Sequence, residues 1–126
     1  LSPHDIQYIN AHGTSSPLGD QIEVAAIKKI LGSAITNVWI NSTKSITGHC
    51  LWSAGVVEAI ATLLQMQEGI VHPNINLNNP IDTACRFVSG KLQEVEIAAA
   101  LSNSFGFGGI NTSIVLAKEN IYVRVN

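Results

Sequence analysis

Two histidines stand in short turns with a glycine beside them, Asn10-Ala11-His12-Gly13-Thr14 and Thr43-Lys44-Ser45-Ile46-Thr47-Gly48-His49. An imidazole in such a place can exchange a proton near neutral pH or donate a hydrogen bond to charge that develops during a reaction. Each turn follows an apolar, strand-like run and precedes a helix-like one. Strand-to-helix corners are where α/β folds put their chemistry, so the placement points to a reactive site. The bland alternative is a pair of ordinary hydrogen-bonded turn histidines.

Two charges near these turns need an explanation. Glu58 falls on a helix too apolar to expose it, and an unpaired buried carboxylate is costly. A buried bridge to Lys44, beside His49, would fix the loop and bias the imidazole toward one protonation state. A solvated glutamate on a half-exposed helix is the competing placement. The segment Ser104-Phe105-Gly106-Phe107-Gly108-Gly109 lacks the terminal Lys-Ser/Thr of a phosphate loop and the spacing of a dinucleotide fingerprint. Its glycines suit close backbone approach to a reacting carbonyl, with the two phenylalanines walling the site.

Other constellations fail. His4, His12, His49 and His72 show no zinc-type spacing with cysteines or carboxylates, so no metal is expected. Ser15, Ser16, Ser45 and Ser104 are loop serines without a nucleophile-elbow context. Cys50 follows His49 near a helix amino end, where a thiolate is favoured, but adjacent helical residues point apart, and a core thiol is the expected role.

The elements that must position these residues read as alternating strands and helices. Ile6 to Ala11 is a buried strand; Asp20 and Glu23 form a capping pair that opens a helix through Leu31, closed by Gly32. Within it Ile22, Ala26, Ile27 and Ile30 make the apolar stripe, with Lys28 and Lys29 turned away. Val38 to Asn41 is a second strand. Gly48 to Gln67 supports a long helix, apolar at Ala54, Val56, Val57, Ile60, Leu63 and Leu64, which is expected to be largely buried in a bigger structure. Ile70 to Pro80 is an extended connector, Arg86 to Ser89 a short strand, and Ile97 to Asn103 and Thr112 to Ala117 are core strands joined by a glycine-rich hairpin or loop. One domain over residues 1–118 and a tail over 119–126 are expected.

Composition agrees with one globular core: 46% of residues are hydrophobic and 13% charged. A net charge of −2, with no basic stretch interleaved with aromatics, argues against nucleic acid. The longest apolar run, Val56 to Met66, is short for a bilayer and carries Glu58, so no membrane partner is expected. Two isolated cysteines, Cys50 and Cys85, read as buried thiols in a reducing compartment, the cytoplasm. The first residue, Leu1, and the linker-like start suggest a piece of something longer.

Together three motifs resemble the carboxy-terminal half of the β-ketoacyl synthases, the condensing enzymes of fatty-acid and polyketide assembly. They are Tyr8-Ile9-Asn10-Ala11-His12-Gly13-Thr14-Ser15; Ser42-Thr43-Lys44-Ser45-Ile46-Thr47-Gly48-His49 with Ala54, Gly55 and Glu58; and Ser102-Asn103-Ser104-Phe105-Gly106-Phe107-Gly108-Gly109. The resemblance spans nearly the whole chain. It implies an α/β, thiolase-like fold in which a mixed sheet packs with helices and this chain supplies one of two similar halves. It implies that His12 and His49 match the family's histidine pair, which stabilises the enolate formed when malonyl carrier protein loses carbon dioxide. Lys44 and Glu58 match its lysine and helix glutamate.

Thr14 and Ser16 correspond to hydroxyls near the phosphopantetheine arm, with Ser16 in place of a more usual Thr. Phe107 matches the aromatic that gates the acyl pocket, with Phe105 and Gly108 beside it. The implied carrier is acyl carrier protein, whose phosphopantetheine arm brings the substrate, with no resident cofactor. The family's nucleophilic cysteine falls in the amino-terminal half, so this chain alone is expected not to condense, and the complete enzyme is expected to be a homodimer. Cys50 stands where the family commonly has an aliphatic residue. Three roles remain open at this point: half of a ketosynthase, half of a decarboxylase-type relative, or a non-catalytic partner subunit.

Overall fold

The computed structural model describes residues Leu1–Glu119; the tail expected over 119–126 lies, beyond Glu119, outside the described residues. In chain order the elements are β1 (Tyr8–Asn10), α1 (Pro17–Leu31), β2 (Trp39–Asn41), α2 (Lys44–Thr47), α3 (Ala54–Glu68), β3 (Ile70–Val71), β4 (Arg86–Phe87), β5 (Gln93–Glu94), β6 (Ala99–Gly106) and β7 (Ile110–Ala117), with short 3₁₀ turns before β1, after α1 and before α3. Five strands make one mixed sheet in the order β4-β2-β1-β6-β7, and β3 pairs with β5 apart from it. The β4, β2, β1 and β6 neighbours run parallel, while β7 returns antiparallel along β6. That return is the glycine-rich hairpin expected from sequence.

Strand side chains alternate between the two faces of a sheet, and that alternation sorts the core. Ile9 and Ile40 sit in register and pack with Ile27 and Leu31 of α1. Tyr8 and Ala100, also in register, pack with Met66 of α3, Val71, Val88 and Ile97. Helices therefore cover both faces, as parallel strands require.

Two helices depart from the sequence expectation in the same way. Helix α1 begins at Pro17, with Ser16 at its N-cap, and its buried stripe is Glu23, Ile27 and Leu31, leaving Ile22 and Ile30 exposed. Of the expected stripe only Ile27 is buried, because the inward face begins with a carboxylate, Glu23, that an apolar pattern passes over. Asp20 and Glu23 are not a capping pair; Glu23 faces inward. The helix expected from Gly48 to Gln67 begins only at Ala54, after a 3₁₀ turn at Leu51–Ser53, because Gly48 (φ 71°) and Leu51 (φ 49°) adopt left-handed backbone that a helix cannot contain.

Helix α3 buries Ala54, Glu58, Thr62, Gln65 and Met66 and turns Val56, Ile60, Leu63 and Leu64 outward, each at least 50% exposed in this chain. The helix was expected to be largely buried in a bigger structure; within this chain its outer face is uncovered. Cys85 is buried as expected, whereas Cys50 is only half-buried. The extended connector begins with β3 rather than running free from Ile70. Among the described residues no helix is long and apolar enough to cross a membrane.

An apolar stripe of this length on one helix, joined by Trp52 at 101% exposure, is a contact surface when left uncovered. The chain prepared by itself is expected to self-associate reversibly in sedimentation velocity, and Val56→Glu with Leu63→Glu to shift it toward monomer. A native chain that stays monomeric at high concentration would contradict this.

Candidate active site

Strand β1 ends at Asn10, and the chain turns within three residues. Gly13 has φ 43°, and a Cβ there would lie 2.7 Å from Ser42 Cβ, so only glycine lets the His12 turn lie against the end of β2. The turn is held from the helix side by Glu23, which is 4% exposed. Its carboxylate accepts the amide N–H groups of His12 and Gly13, each at 2.9 Å, and the Asn103 side-chain N–H at 3.1 Å. Sequence reasoning missed this role. The available signal was the four-residue spacing of Glu23, Ile27 and Leu31, which puts a carboxylate on the core stripe.

The second turn is built from behind. Asn10 Oδ1 accepts the Thr43 N–H at 3.1 Å, and Asn10 Nδ2 donates to Thr43 Oγ1 at 3.0 Å, Glu58 O at 3.2 Å and Thr62 Oγ1 at 3.3 Å. Thr43 thereby fixes where α2 begins, and Lys44 is its first residue. The Lys44 ammonium forms the expected bridge to Glu58 Oε1, with side chains 5% and 2% exposed, so the solvated placement of Glu58 is excluded.

Lys44 Nζ also lies 3.3 Å from His12 Nδ1. An ammonium can only donate, so Nδ1 must accept and the His12 proton must sit on Nε2. At His49 a different donor reaches the same atom: the Leu51 N–H donates to His49 Nδ1 at 3.1 Å. Both rings therefore present Nε2–H outward. Their centroids are 5.6 Å apart at 87°, and Phe105 packs on His12 with a centroid separation of 5.4 Å. Burial foremost, then the Lys44 ammonium and the neighbouring His49, pull the His12 pKa down to about 4, so His12 is neutral at physiological pH.

The remaining expected residues divide. Thr14 and Ser16 share a hydroxyl contact of 3.2 Å at the exposed mouth of the turn, and Thr14, Lys44 and His49 line a cavity of about 610 Å³ that extends under the asparagine-rich connector. Phe105 reaches the histidines, but Phe107 does not; it stands fully exposed at the tip of the β6–β7 hairpin, beside Gly108 with φ 81°. One phenylalanine, not two, walls the histidine pair in this chain. The arrangement offers two imidazole N–H donors on neighbouring rings, 5.6 Å apart between centroids and with Phe105 against one of them, which suits a developing oxyanion on a thioester or similar acyl group.

A family model described as β-ketoacyl synthase, C-terminal domain, matches residues 1–78. The chain is 47% identical over 116 residues to the polyketide biosynthesis malonyl-ACP decarboxylase PksF of Bacillus subtilis, covering 92% of this chain and 27% of that protein. It is also 47% identical over 120 residues to 3-oxoacyl-acyl-carrier-protein synthase 2 of Synechocystis, covering 94% of this chain and 29% of that protein. Among solved structures, a type II polyketide ketosynthase in complex with its acyl carrier protein superposes with a TM-score of 0.84 at 39% identity, over 93% of this chain and 29% of that one. A β-ketoacyl synthase from Burkholderia phymatum gives the same TM-score at 36% identity, over 94% of this chain and 29% of that one. The chain thus spans a little over a quarter of the length of the proteins it matches, and its mixed sheet with helices on both faces is part of the thiolase-like ketosynthase fold.

The His12 environment sets a pH behaviour that NMR can read. In imidazole ¹⁵N spectra His12 is expected to stay neutral, with its proton on Nε2, until the pH approaches about 4. Lys44→Met is expected to move that titration up, toward an ordinary histidine, and a Lys44→Met protein with an unshifted His12 would contradict the contact. Because the folded pKa lies below the ordinary 6.5, the unfolded chain binds this proton first. The His12 contribution to stability is therefore complete above about pH 6.5 and is lost as pH falls toward about 4.

Proposed function

The chain belongs to the β-ketoacyl synthase family, as its carboxy-terminal domain, and from that premise we propose that it supplies the two histidines that decarboxylate a malonyl thioester and hold the enolate that results. The observation that carries this reading is the pair of occupied Nδ1 atoms. With Lys44 donating to one and the Leu51 amide to the other, each ring keeps an Nε2–H to give, and the two rings lie 5.6 Å apart. As the bond between the malonyl methylene carbon and its carboxylate breaks, carbon dioxide leaves and the electron pair moves onto the thioester carbonyl oxygen. Two neutral donors stabilise that oxygen most when it carries full charge, which lowers the barrier rather than tightening ground-state binding.

In condensation the enolate carbon then attacks an acyl thioester, and the thiolate that held the acyl group departs. That thiolate belongs to a nucleophilic cysteine outside this chain, in the amino-terminal part of the complete protein, so the chain alone does not condense. Cys50 is not that nucleophile. Among the described residues its Sγ makes a long contact, 3.9 Å, to the Gly48 carbonyl, and none to a base. Substrate arrives on the phosphopantetheine arm of acyl carrier protein, with the Thr14 and Ser16 hydroxyls at the mouth to meet the arm's amides. No resident cofactor takes part. Phe107 and Gly108, on the exposed hairpin tip, gate the acyl pocket once the rest of the enzyme is in place. The working unit is a homodimer in the cytoplasm.

A second reading has a specific observation behind it. One of the similar proteins is named a malonyl-ACP decarboxylase, and the residues above suffice for decarboxylation without condensation. The two readings share this site and differ in what stands at the nucleophile position.

In the complete protein, His12→Ala and His49→Ala are each expected to slow malonyl-ACP decarboxylation by about 10²–10³-fold, the usual loss for an oxyanion donor. Native rates in either variant would overturn the reading. Intact-mass detection of an acyl group on the complete protein, with a β-ketoacyl product, marks the synthase; acetyl carrier protein as the sole product marks the decarboxylase.

A further inference from the structure

A third histidine lies behind the site, and neither the proposed reaction nor the sequence reading gives it a role. His72 follows β3, and its backbone is tied on both sides: its N–H donates to Gln65 Oε1 at 2.9 Å, and its carbonyl accepts from Asn41 Nδ2 at 2.8 Å. Its ring Nδ1 is 2.9 Å from the Pro73 carbonyl. A carbonyl can only accept, so the proton must be on Nδ1 and Nε2 must be bare, opposite to the state of His12 and His49.

The bare Nε2 faces Thr43 Oγ1 at 3.5 Å, the outer limit for a hydrogen bond. Thr43 Oγ1 already accepts from Asn10 Nδ2, so its own hydroxyl proton needs an acceptor. Among the described residues His72 Nε2 is the acceptor the structure offers it. The chain of donors then runs from Asn10 to Thr43 to His72 with every role complementary.

We propose that His72 is a positioning residue, which orients the Thr43 hydroxyl and through it sets the start of α2, and hence the reach of Lys44 to His12 Nδ1. The effect on catalysis rests on the proposed decarboxylation; the effect on His12 does not. Lys44 follows Thr43 directly, and the Thr43 carbonyl receives the N–H groups of Ile46 and Thr47 that open the helix. A rotation of Thr43 therefore moves the lysine at its root, and a misplacement of that kind costs rate without loosening substrate.

The test uses the complete protein with malonyl-ACP, and reads His12 by imidazole ¹⁵N NMR beside the kinetics. His72→Phe, which keeps a ring and removes the acceptor, is expected to lower kcat about tenfold with KM nearly unchanged, and to raise the His12 pKa. His72→Gln, whose side-chain carbonyl can accept from Thr43, is expected to recover most of the rate. Thr43→Val deletes the donor with His72 in place and also the acceptor of Asn10 Nδ2, so it should lose at least as much as His72→Phe, and the double variant should lose no more than Thr43→Val alone. Thr43→Val also carries the test if His72→Phe does not fold.

Losses that multiply in the double variant, a native kcat and His12 titration in His72→Phe, or equal falls in all variants with no recovery in His72→Gln would each overturn the proposal. His12→Ala is run in parallel. If that variant keeps its decarboxylation rate, the proposed function fails, while the His12 titration still decides the role of His72.

Discussion

The buried pair between Lys44 and Glu58 is the constraint from which the site follows. Two opposite charges are held almost out of water, where desolvation penalises each and only close pairing offsets the penalty. Removing one partner would leave the other uncompensated, a loss of about 3–5 kcal/mol in comparable cases. The pair cannot drift, because Glu58 is on α3, Lys44 opens α2, and both helices are tied to the end of β1 through Asn10. Since Lys44 must also meet His12, the position of the first histidine is set by an electrostatic contact 14 residues apart in sequence rather than by its own turn alone.

This arrangement explains why the inner face of α3 is polar. Glu58, Thr62 and Gln65 are buried, and each meets a polar partner on the sheet side: Lys44, Asn10, and the Tyr8 and Asn41 side chains. Burial pushes the Tyr8 hydroxyl well above its ordinary pKa, so it remains a neutral phenol that donates to Asn41 and accepts from Gln65. A hydrogen-bonded polar layer has few alternative registers, whereas an aliphatic layer would tolerate a helix shifted by a turn. The layer fixes Glu58 to the position that Lys44 requires. Its consequence is that the apolar residues of α3 face outward, where they need another surface.

The same reversal marks the limit of what could be read from the chain. The parallel strands, the β6–β7 hairpin and the two histidine turns were legible, since each rests on local alternation, glycine placement or a motif. The Lys44–Glu58 pair was legible too, as a charge on a helix otherwise too apolar for it. Helix faces were not, because the periodic argument assumes that the apolar stripe points inward. In α1 it selected Ile22, Ala26 and Ile30 beside the buried Ile27 and missed Glu23 and Leu31; in α3 it could not say which residues this chain buries and which it leaves for a bigger structure. Both gaps occur where a carboxylate is buried for the sake of the site, and the left-handed Gly48 and Leu51 fall beside His49. Local rules fail where distant residues overrule them.

Three histidines within one site region show how little of a side chain's chemistry resides in the side chain. An imidazole in water has both neutral tautomers available and titrates near 6.5. Here the Lys44 ammonium, the Leu51 amide and the Pro73 carbonyl each face one ring nitrogen, and each is restricted to a single hydrogen-bonding role. The first two are donors and leave Nε2–H as the free edge of His12 and His49; the third is an acceptor and leaves a bare Nε2 on His72. Exchange of tautomer would set two donors or two lone pairs against each other at short range, so the assignment is built in before any substrate binds. Preorganised donors of this kind need no reorientation as charge develops, and the one that orders His49 comes from strained backbone, the left-handed Leu51 at φ 49°.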